Sequence, residues 1–194
     1  MPRLDPRAPL VFDTRDLRRR AGSMLTVDRT VQAPEDLGTD VVAVPAGSPM
    51  DLAVRLESVT EGVLVSGSVA ATAGGACVRC LEPVTLPVAA TFQELFAYAE
   101  RAAHHREVDA AADEADEYAL VDDLVDLEPV LRDTVVPALP FQPVCRADCP
   151  GLCPDCGARL ADDPGHRHDT IDPPWAVLRD LRDRAAGPND EKRT

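Results

Sequence analysis

The sequence predicts an α+β fold: an antiparallel β-meander or sheet with one or two covering helices and a cysteine-rich zinc loop. Three observations predict it. Apolar residues alternate with polar ones through much of residues 40–99, the period of half-buried strands. Val130, Leu131, Thr134 and Val135 then lie at helical spacing behind Asp126-Leu127-Glu128-Pro129, which has the acid and early proline of a helix start. Finally, all 6 cysteines fall in spacings that suit a metal ion.

The first element is a basic N-terminal arm, residues 1–20. Arg3, Arg7, Arg15, Arg18, Arg19 and Arg20 outnumber Asp5, Asp13 and Asp16 there. Within it Pro9 to Phe12 reads as an entering strand, and Asp13-Thr14 as the cap of a short helical turn running to Arg20. A single domain spans residues 21–186. Its strands begin at Val41, Val42 and Val44. Leu52, Val54 and Leu56 alternate with Ala53, Arg55 and Glu57. Thr60-Glu61-Gly62 reads as a turn, Val63, Val65 and Val69 continue the alternation with Gly67 as a bulge, and Gly74-Gly75 reads as the next turn. Cys77-Val78-Arg79-Cys80 follows. Val84, Leu86 and Val88 then lead into residues 91–98, and short strands joined by turns make an antiparallel meander the economical arrangement.

Residues 107–128 carry ten acids and no Lys or Arg, and residues 102–117 read as a disordered acidic insertion. The helix that starts near Asp126 ends at Pro137, with Val130, Leu131 and Val135 covering one face of the sheet. A last helix begins at Asp172-Pro173-Pro174-Trp175, with Trp175, Leu178 and Leu181 on one stripe. Residues 187–194 read as a disordered tail.

The cysteine-rich loop, residues 145–157, holds Cys145, Cys149, Cys153 and Cys156, with Gly157 directly behind. Two intervening residues let both sulfurs of Cys153 and Cys156 face one ion, and a glycine after the pair tolerates the positive φ of such a turn. Cys77 and Cys80 form a second C-x-x-C. Two arrangements satisfy these spacings. In one, the four late cysteines close a local site. In the other, Cys77 and Cys80 share an ion with two late cysteines, and the remaining pair recruits His166 or His168. Either site holds a structural Zn2+. A thioredoxin-like role fits poorly, because it needs a C-x-x-C that opens a helix. No catalytic residue is assigned: the sequence has neither a phosphate-cradling glycine loop nor a serine nucleophile elbow.

The chain is acidic, with 34 Asp plus Glu against 20 Lys plus Arg and a formal charge of -14. That balance argues against wrapping nucleic acid by charge alone. No run approaches the ~20 apolar residues of a membrane helix, and the first residues have no secretory apolar core. Paired cysteines without such a leader point to a reducing cytoplasm, where thiols bind metal.

Taken in order, Cys77-Val-Arg-Cys80-Leu81, Asp126-Leu-Glu-Pro-Val130, Leu139-Pro140, the run from Asp148 to Gly157, and Trp175-Ala-Val-Leu178 resemble the YceD family. These are proteins of bacteria and plastids associated with accumulation of large-subunit ribosomal RNA. The resemblance spans roughly residues 40–183. It implies a non-enzymatic factor that supports 23S rRNA processing and ribosome biogenesis. Its partner would be large-subunit rRNA or its precursor, reached directly or through a ribosomal protein or processing factor, with no membrane and no small-molecule substrate. The N-terminal arginines and Arg79 are the candidates for phosphate contact. A reading from a different class is a zinc-thiolate redox or metal-responsive regulator, whose cysteines would release metal on oxidation.

Overall fold

Alternation of apolar and polar side chains dominates the first two-thirds of the chain, and sheet is what forms there. The computed structural model describes residues 4–17, 19–101, 118–168, 178 and 181. Strand β1 (Val11–Asp13) is followed by a 3-10 turn (Arg15–Leu17), then by β2 (Met24–Gln32), β3 (Leu37–Gly38), β4 (Val42–Val44), β5 (Pro49–Ser58), β6 (Gly62–Ala76), β7 (Pro83–Ala97), β8 (Leu124–Asp126) and the helix α1 (Glu128–Ala138). The architecture is α+β and mostly antiparallel sheet, as the alternation predicts. The chain divides into two units, Met1–Cys149 and Pro150–Thr194.

Strand β6 is the axis of the first unit. Strand β7 pairs with it along its whole length, from Gly62↔Ala97 to Ala76↔Pro83. On the other edge β5 pairs from Ser58↔Val63 to Asp51↔Ala70, and β4 takes over at Gly74 and Gly75. Strand β2 lies outside β5, and β3 outside β4. Strands β1 and β8 form a separate two-stranded sheet. Met50, Leu52, Val54 and Leu56 of β5, with Val63, Val65 and Val69 of β6, fill the core. Helix α1 packs against β7 and β3. Leu127, Leu131, Val135 and Leu139, four residues apart, make its buried stripe together with Val130. Pro129 sits in its first turn, and the Asp126 carboxylate accepts a hydrogen bond from the Glu128 amide at 3.1 Å.

Several expectations are corrected. Gly74 and Gly75 are not a turn but lie inside β6, because β4 crosses so close to Gly75 that a Cβ there would strike the Val41 carbonyl. Gly67 is not a bulge, since the register runs unbroken through Gly67↔Phe92 and Val54↔Gly67. It is glycine because a Cβ there would stand 2.4 Å from the Ala53 carbonyl oxygen and 2.8 Å from the Phe92 ring. The strands are not all short: β6 and β7 have 15 residues each. The helical turn after Asp13 is a single 3-10 turn. Strand β2 is an addition to the predicted set.

Of the first twenty residues, Leu10, Phe12 and Leu17 enter the core. Thr14 donates both its amide and its hydroxyl to the Asp123 carbonyl, at 3.0 and 2.8 Å. The expected insertion at 102–117, Trp175 and the tail at 187–194 lie outside the described residues. Leu178 and Leu181 are helical and exposed. No helix among the described residues is long and apolar enough to cross a membrane.

Candidate metal centre

The β6–β7 hairpin reverses direction over residues 77–82, and its turn is built to face two sulfurs the same way. The Cys77 amide donates to the Glu82 carbonyl at 2.7 Å, and the Leu81 amide donates back to the Cys77 carbonyl at 2.8 Å. The second bond requires Leu81 to take φ +61°. The same pattern recurs at Cys153-Pro154-Asp155-Cys156-Gly157. There the Cys153 amide donates to the Ala158 carbonyl at 2.7 Å, the Gly157 amide donates to the Cys153 carbonyl at 2.9 Å, and Gly157 has φ +73°. The chain thus contains two copies of one metal-knuckle turn, with a glycine at the left-handed position in only the second.

The first knuckle meets Cys145 and Cys149. The sulfurs of Cys77 and Cys149 are 3.9 Å apart, and those of Cys80 and Cys145 are 3.7 Å apart. A tetrahedral zinc with Zn–S bonds of about 2.3 Å has sulfur–sulfur edges of about 3.8 Å. All four sulfurs lie within 4.8 Å of one another, so the donor set fits a soft dication by type, number and separation. The arriving segment is tied down on both sides of the turn. The Val78 amide donates to the Pro143 carbonyl at 2.9 Å, and the Arg79 guanidinium donates to the carbonyls of Ala147 and Cys149 at 3.3 and 3.1 Å. Arg79, a candidate for phosphate contact, instead braces the ligand loop.

Ionisation in this group is uneven. Burial opposes ionisation of Cys77, but the amides of Cys145, Arg79 and Cys80 and the Cys80 thiol outweigh it, bringing Cys77 from 9.0 to about 6. The Glu82 amide favours the Cys80 thiolate, yet burial and the Cys77 and Cys149 thiols prevail and raise it. Cys145 is pushed up to about 12, first by its hydrogen bond with Cys149 and then by burial and the other thiols. A thiolate at Cys77 beside protonated Cys80 and Cys145 is what such crowded thiols adopt without a cation. A dication removes the mutual repulsion and favours ionisation of the set.

The second knuckle belongs to a different group. Cys153 and Cys156 gather with His166 and His168, their ligand atoms again within 4.8 Å of one another. The Cys156 sulfur is 3.2 Å from Nε2 of both histidines, and the two Nε2 atoms are 2.7 Å apart. Nδ1 of His166 lies 3.7 Å from the Asp163 carboxylate, which steers the other ring nitrogen toward the sulfurs. Cys153 is buried and Cys156 exposed. The four late cysteines therefore do not share one place: Cys145 and Cys149 join Cys77 and Cys80, while Cys153 and Cys156 join the histidines. Both groups could hold a metal ion. Asp163 gave no signal in the sequence, since an aspartate three residues before a histidine is common.

Of the described N-terminal arginines, Arg7 and Arg20 are exposed, while Arg15 and Arg19 are held in ion pairs. Arg15 pairs with Asp13, and Arg19 pairs with Asp123 at 2.9 Å and Glu100 at 3.4 Å while lying 4.7 Å from the Tyr98 ring centroid. Arg3 and Arg18 lie outside the described residues.

An uncharacterized protein of Mycobacterium tuberculosis (strain H37Rv) is 47% identical over 171 residues, covering 88% of this chain and 80% of the relative. Its counterpart in Mycobacterium bovis is equally similar, and one in Mycobacterium leprae is 43% identical over 175 residues, covering 90% of this chain and 78% of the relative. No solved structure matches the chain. Residues 65–182, which include all six cysteines and both histidines of the two groups, match the profile described as large ribosomal RNA subunit accumulation protein YceD, and the chain belongs to the YceD family.

Proposed function

We propose that this protein is a non-enzymatic cytoplasmic factor that supports processing and accumulation of 23S rRNA during ribosome biogenesis, and that zinc is its structural metal. Membership of the family over residues 65–182 carries the reading, because that stretch holds both groups that could bind metal and nearly all of the β6–β7 hairpin that presents the first of them. Cys77, Cys80, Cys145 and Cys149 are the ligands that fix the first unit, and Cys153 and Cys156 serve a second ion. A full set of four thiolates leaves no open coordination position for a substrate or an activated water, which favours a structural over a catalytic metal. Seven of the described arginines support an indirect route to the RNA, whereas Arg7, Arg20 and Arg167 are exposed. Arg55, Arg101, Arg132, Arg146 and Arg159 each face a carboxylate, as do Arg15 and Arg19. On a chain of net charge -14, that arrangement suits a basic ribosomal protein or processing factor better than bare phosphate.

The test is the ratio of large- to small-subunit rRNA in cells depleted of the protein. A selective fall in the large-subunit species, restored by the wild-type gene, is expected. An unchanged ratio overturns the role.

A further inference from the structure

The two metal groups differ in every property that decides how firmly an ion is held. The first consists of four thiols, three of them buried, and joins a hairpin to a segment 65 residues further along the chain. It belongs to a unit with a large hydrophobic core, so its ligands are already close before metal arrives. The second has two thiols and two imidazoles, which carry half the negative charge of four thiolates. Cys156 and His168 are exposed. Its ligands all fall within residues 153–168, and of residues 150–168 only Gly151 and Cys153 are buried. Among the described residues, the hydrogen bonds of that stretch besides the knuckle bonds include local turns such as Leu160 to Gly151 at 3.1 Å and Asp162 to Arg159 at 3.1 Å, with one short bridge between Leu152 and Arg159. A segment of this kind has little but its ion to offset the entropy of ordering.

The histidines also have an alternative to the metal. Their Nε2 atoms, 2.7 Å apart, are at hydrogen-bond distance, with ring centroids 4.6 Å apart in an edge contact. On a tetrahedral zinc with Zn–N bonds of about 2.05 Å the two nitrogens would stand about 3.3 Å apart. Binding therefore exchanges a histidine–histidine hydrogen bond for two metal bonds, and release regains it.

We infer that Cys153, Cys156, His166 and His168 form an exchangeable zinc site whose occupancy decides whether residues 150–168 are folded, while the ion at Cys77, Cys80, Cys145 and Cys149 stays in place. This rests on the structural-zinc reading above and adds to it a response to zinc supply. The first unit keeps its fold at low zinc. Residues 150–168 order only when zinc is available.

The experiment uses the full chain loaded with zinc, titrated with a chelator and followed by native mass spectrometry and limited proteolysis. The expected course is two ions falling to one, with cleavage appearing within residues 150–168 at that step while the thermal transition of the sheet is kept. The double variant His166→Gln with His168→Gln should bind one ion from the start and show the same cleavage without chelator. Adding zinc back to the wild-type chain should restore protection. Simultaneous loss of both ions, an unchanged cleavage pattern after the first loss, or a double variant that keeps two ions would each overturn the inference. A chain with one tightly held ion that depends on Cys77 and Cys145 would also overturn it while leaving the structural-zinc reading intact. A chain that binds no zinc would sink both, and the rRNA ratio tests the cellular role independently of either.

Discussion

Replacing Cys80 and Cys145 together with serine removes two of the four sulfurs that join the β6–β7 hairpin to the loop before Cys149. Serine is close in size to cysteine, so the change deletes the soft ligands without opening a cavity. Cys80 and Cys145 are 65 residues apart, and Cys77 and Cys149 are 72 apart. Closing a loop of that length costs the unfolded chain about 3.7 kcal/mol from (3/2)RT ln n alone. The cross-link relation, which adds a constant, brings the figure to about 4 kcal/mol. That is the lower bound on the loss, reached if the unfolded chain binds zinc through the same four thiols. If it does not, the binding free energy itself is lost, on the order of 10 kcal/mol.

In a body of this size each kcal/mol moves the melting temperature by roughly 2–4 °C. The lower bound then corresponds to a fall of about 8–16 °C at that conversion. The assay is calorimetry of the zinc-loaded wild type and double variant, with zinc counted in both. A chelator should bring the wild type close to the variant and change the sheet transition of the variant little. A variant that loses its ion but melts within about 3 °C of wild type would show that the sheet and α1 hold the ligand loop unaided, contrary to the loop-closure figure. A variant with undiminished zinc would remove these cysteines from the ligand set.

The two knuckles make opposite predictions at their left-handed positions. A non-glycine residue there costs about 1–2 kcal/mol, so Gly157→Ala should destabilise its turn, and Leu81→Gly, at a side chain that is 67% exposed, should be neutral or stabilising by up to about 1 kcal/mol; denaturant midpoints and zinc competition measure both, and a clearly destabilising Leu81→Gly would refute the backbone argument. Arg79→Ala should weaken zinc binding at the first group about 30-fold, because each of the two bonds from the guanidinium to the Ala147 and Cys149 carbonyls contributes ~1 kcal/mol; undiminished zinc affinity with lost RNA association would restore Arg79 to a phosphate role. Zinc affinity should rise with pH. Cys145, at about 12, and the raised Cys80 keep their protons at pH 7 and must release them to bind, whereas Cys77, at about 6, is already largely ionised. The protons released by Cys80 and Cys145 alone correspond to a gain in affinity of at least about 100-fold between pH 7 and 8, with a steeper fall below pH 6 as Cys77 takes up its own proton. Competition with a chelating dye at several pH values reads the slope, and a flat profile would refute it.

Strand β5 and helix α1 were legible because one physical signal dominates each: strict alternation from Met50 to Glu57, and a four-residue stripe behind an acid and a proline. Strand β2 was hidden by Arg29, which interrupts the stripe of Leu25, Val27 and Val31. The structure accommodates it by laying its guanidinium 3.8 Å from the Phe12 ring centroid, and burial lowers its pKa. Gly74 and Gly75 misled for a related reason. A glycine pair marks either a turn or a close crossing of strands, and only the approach of β4 decides which. At the site, the sequence identifies all six thiols but cannot divide them, since Cys149 and Cys153 are separated by only Pro150, Gly151 and Leu152 and spacing permits both groupings. The division follows from the reach of a hairpin with two 15-residue strands, which carries Cys77 and Cys80 to Cys145 and Cys149. No local pattern encodes that reach.

The charge of the chain and the family to which it belongs pull in opposite directions, and the structure suggests how they are reconciled. A protein that grips RNA by its phosphates keeps arginines free to displace counterions. Here the basic groups nearest the candidate surfaces are tied to the fold itself. Arg19 is held by Asp123 and Glu100, Arg79 by the ligand loop, and Arg132 by Glu128 and by the carbonyls of Glu35 and Asp36 at 2.7 and 2.8 Å. An arginine that leaves its carboxylate for a phosphate trades one ion pair for another and strands an acid on a surface already at -14. Approach of RNA is opposed by that charge, whereas approach of a basic protein is favoured by it. The proposed effect on large-subunit rRNA therefore fits best with a protein intermediary, and the loop that Cys145 and Cys149 bring against the β6–β7 hairpin has a geometry fixed well enough to present a surface to it.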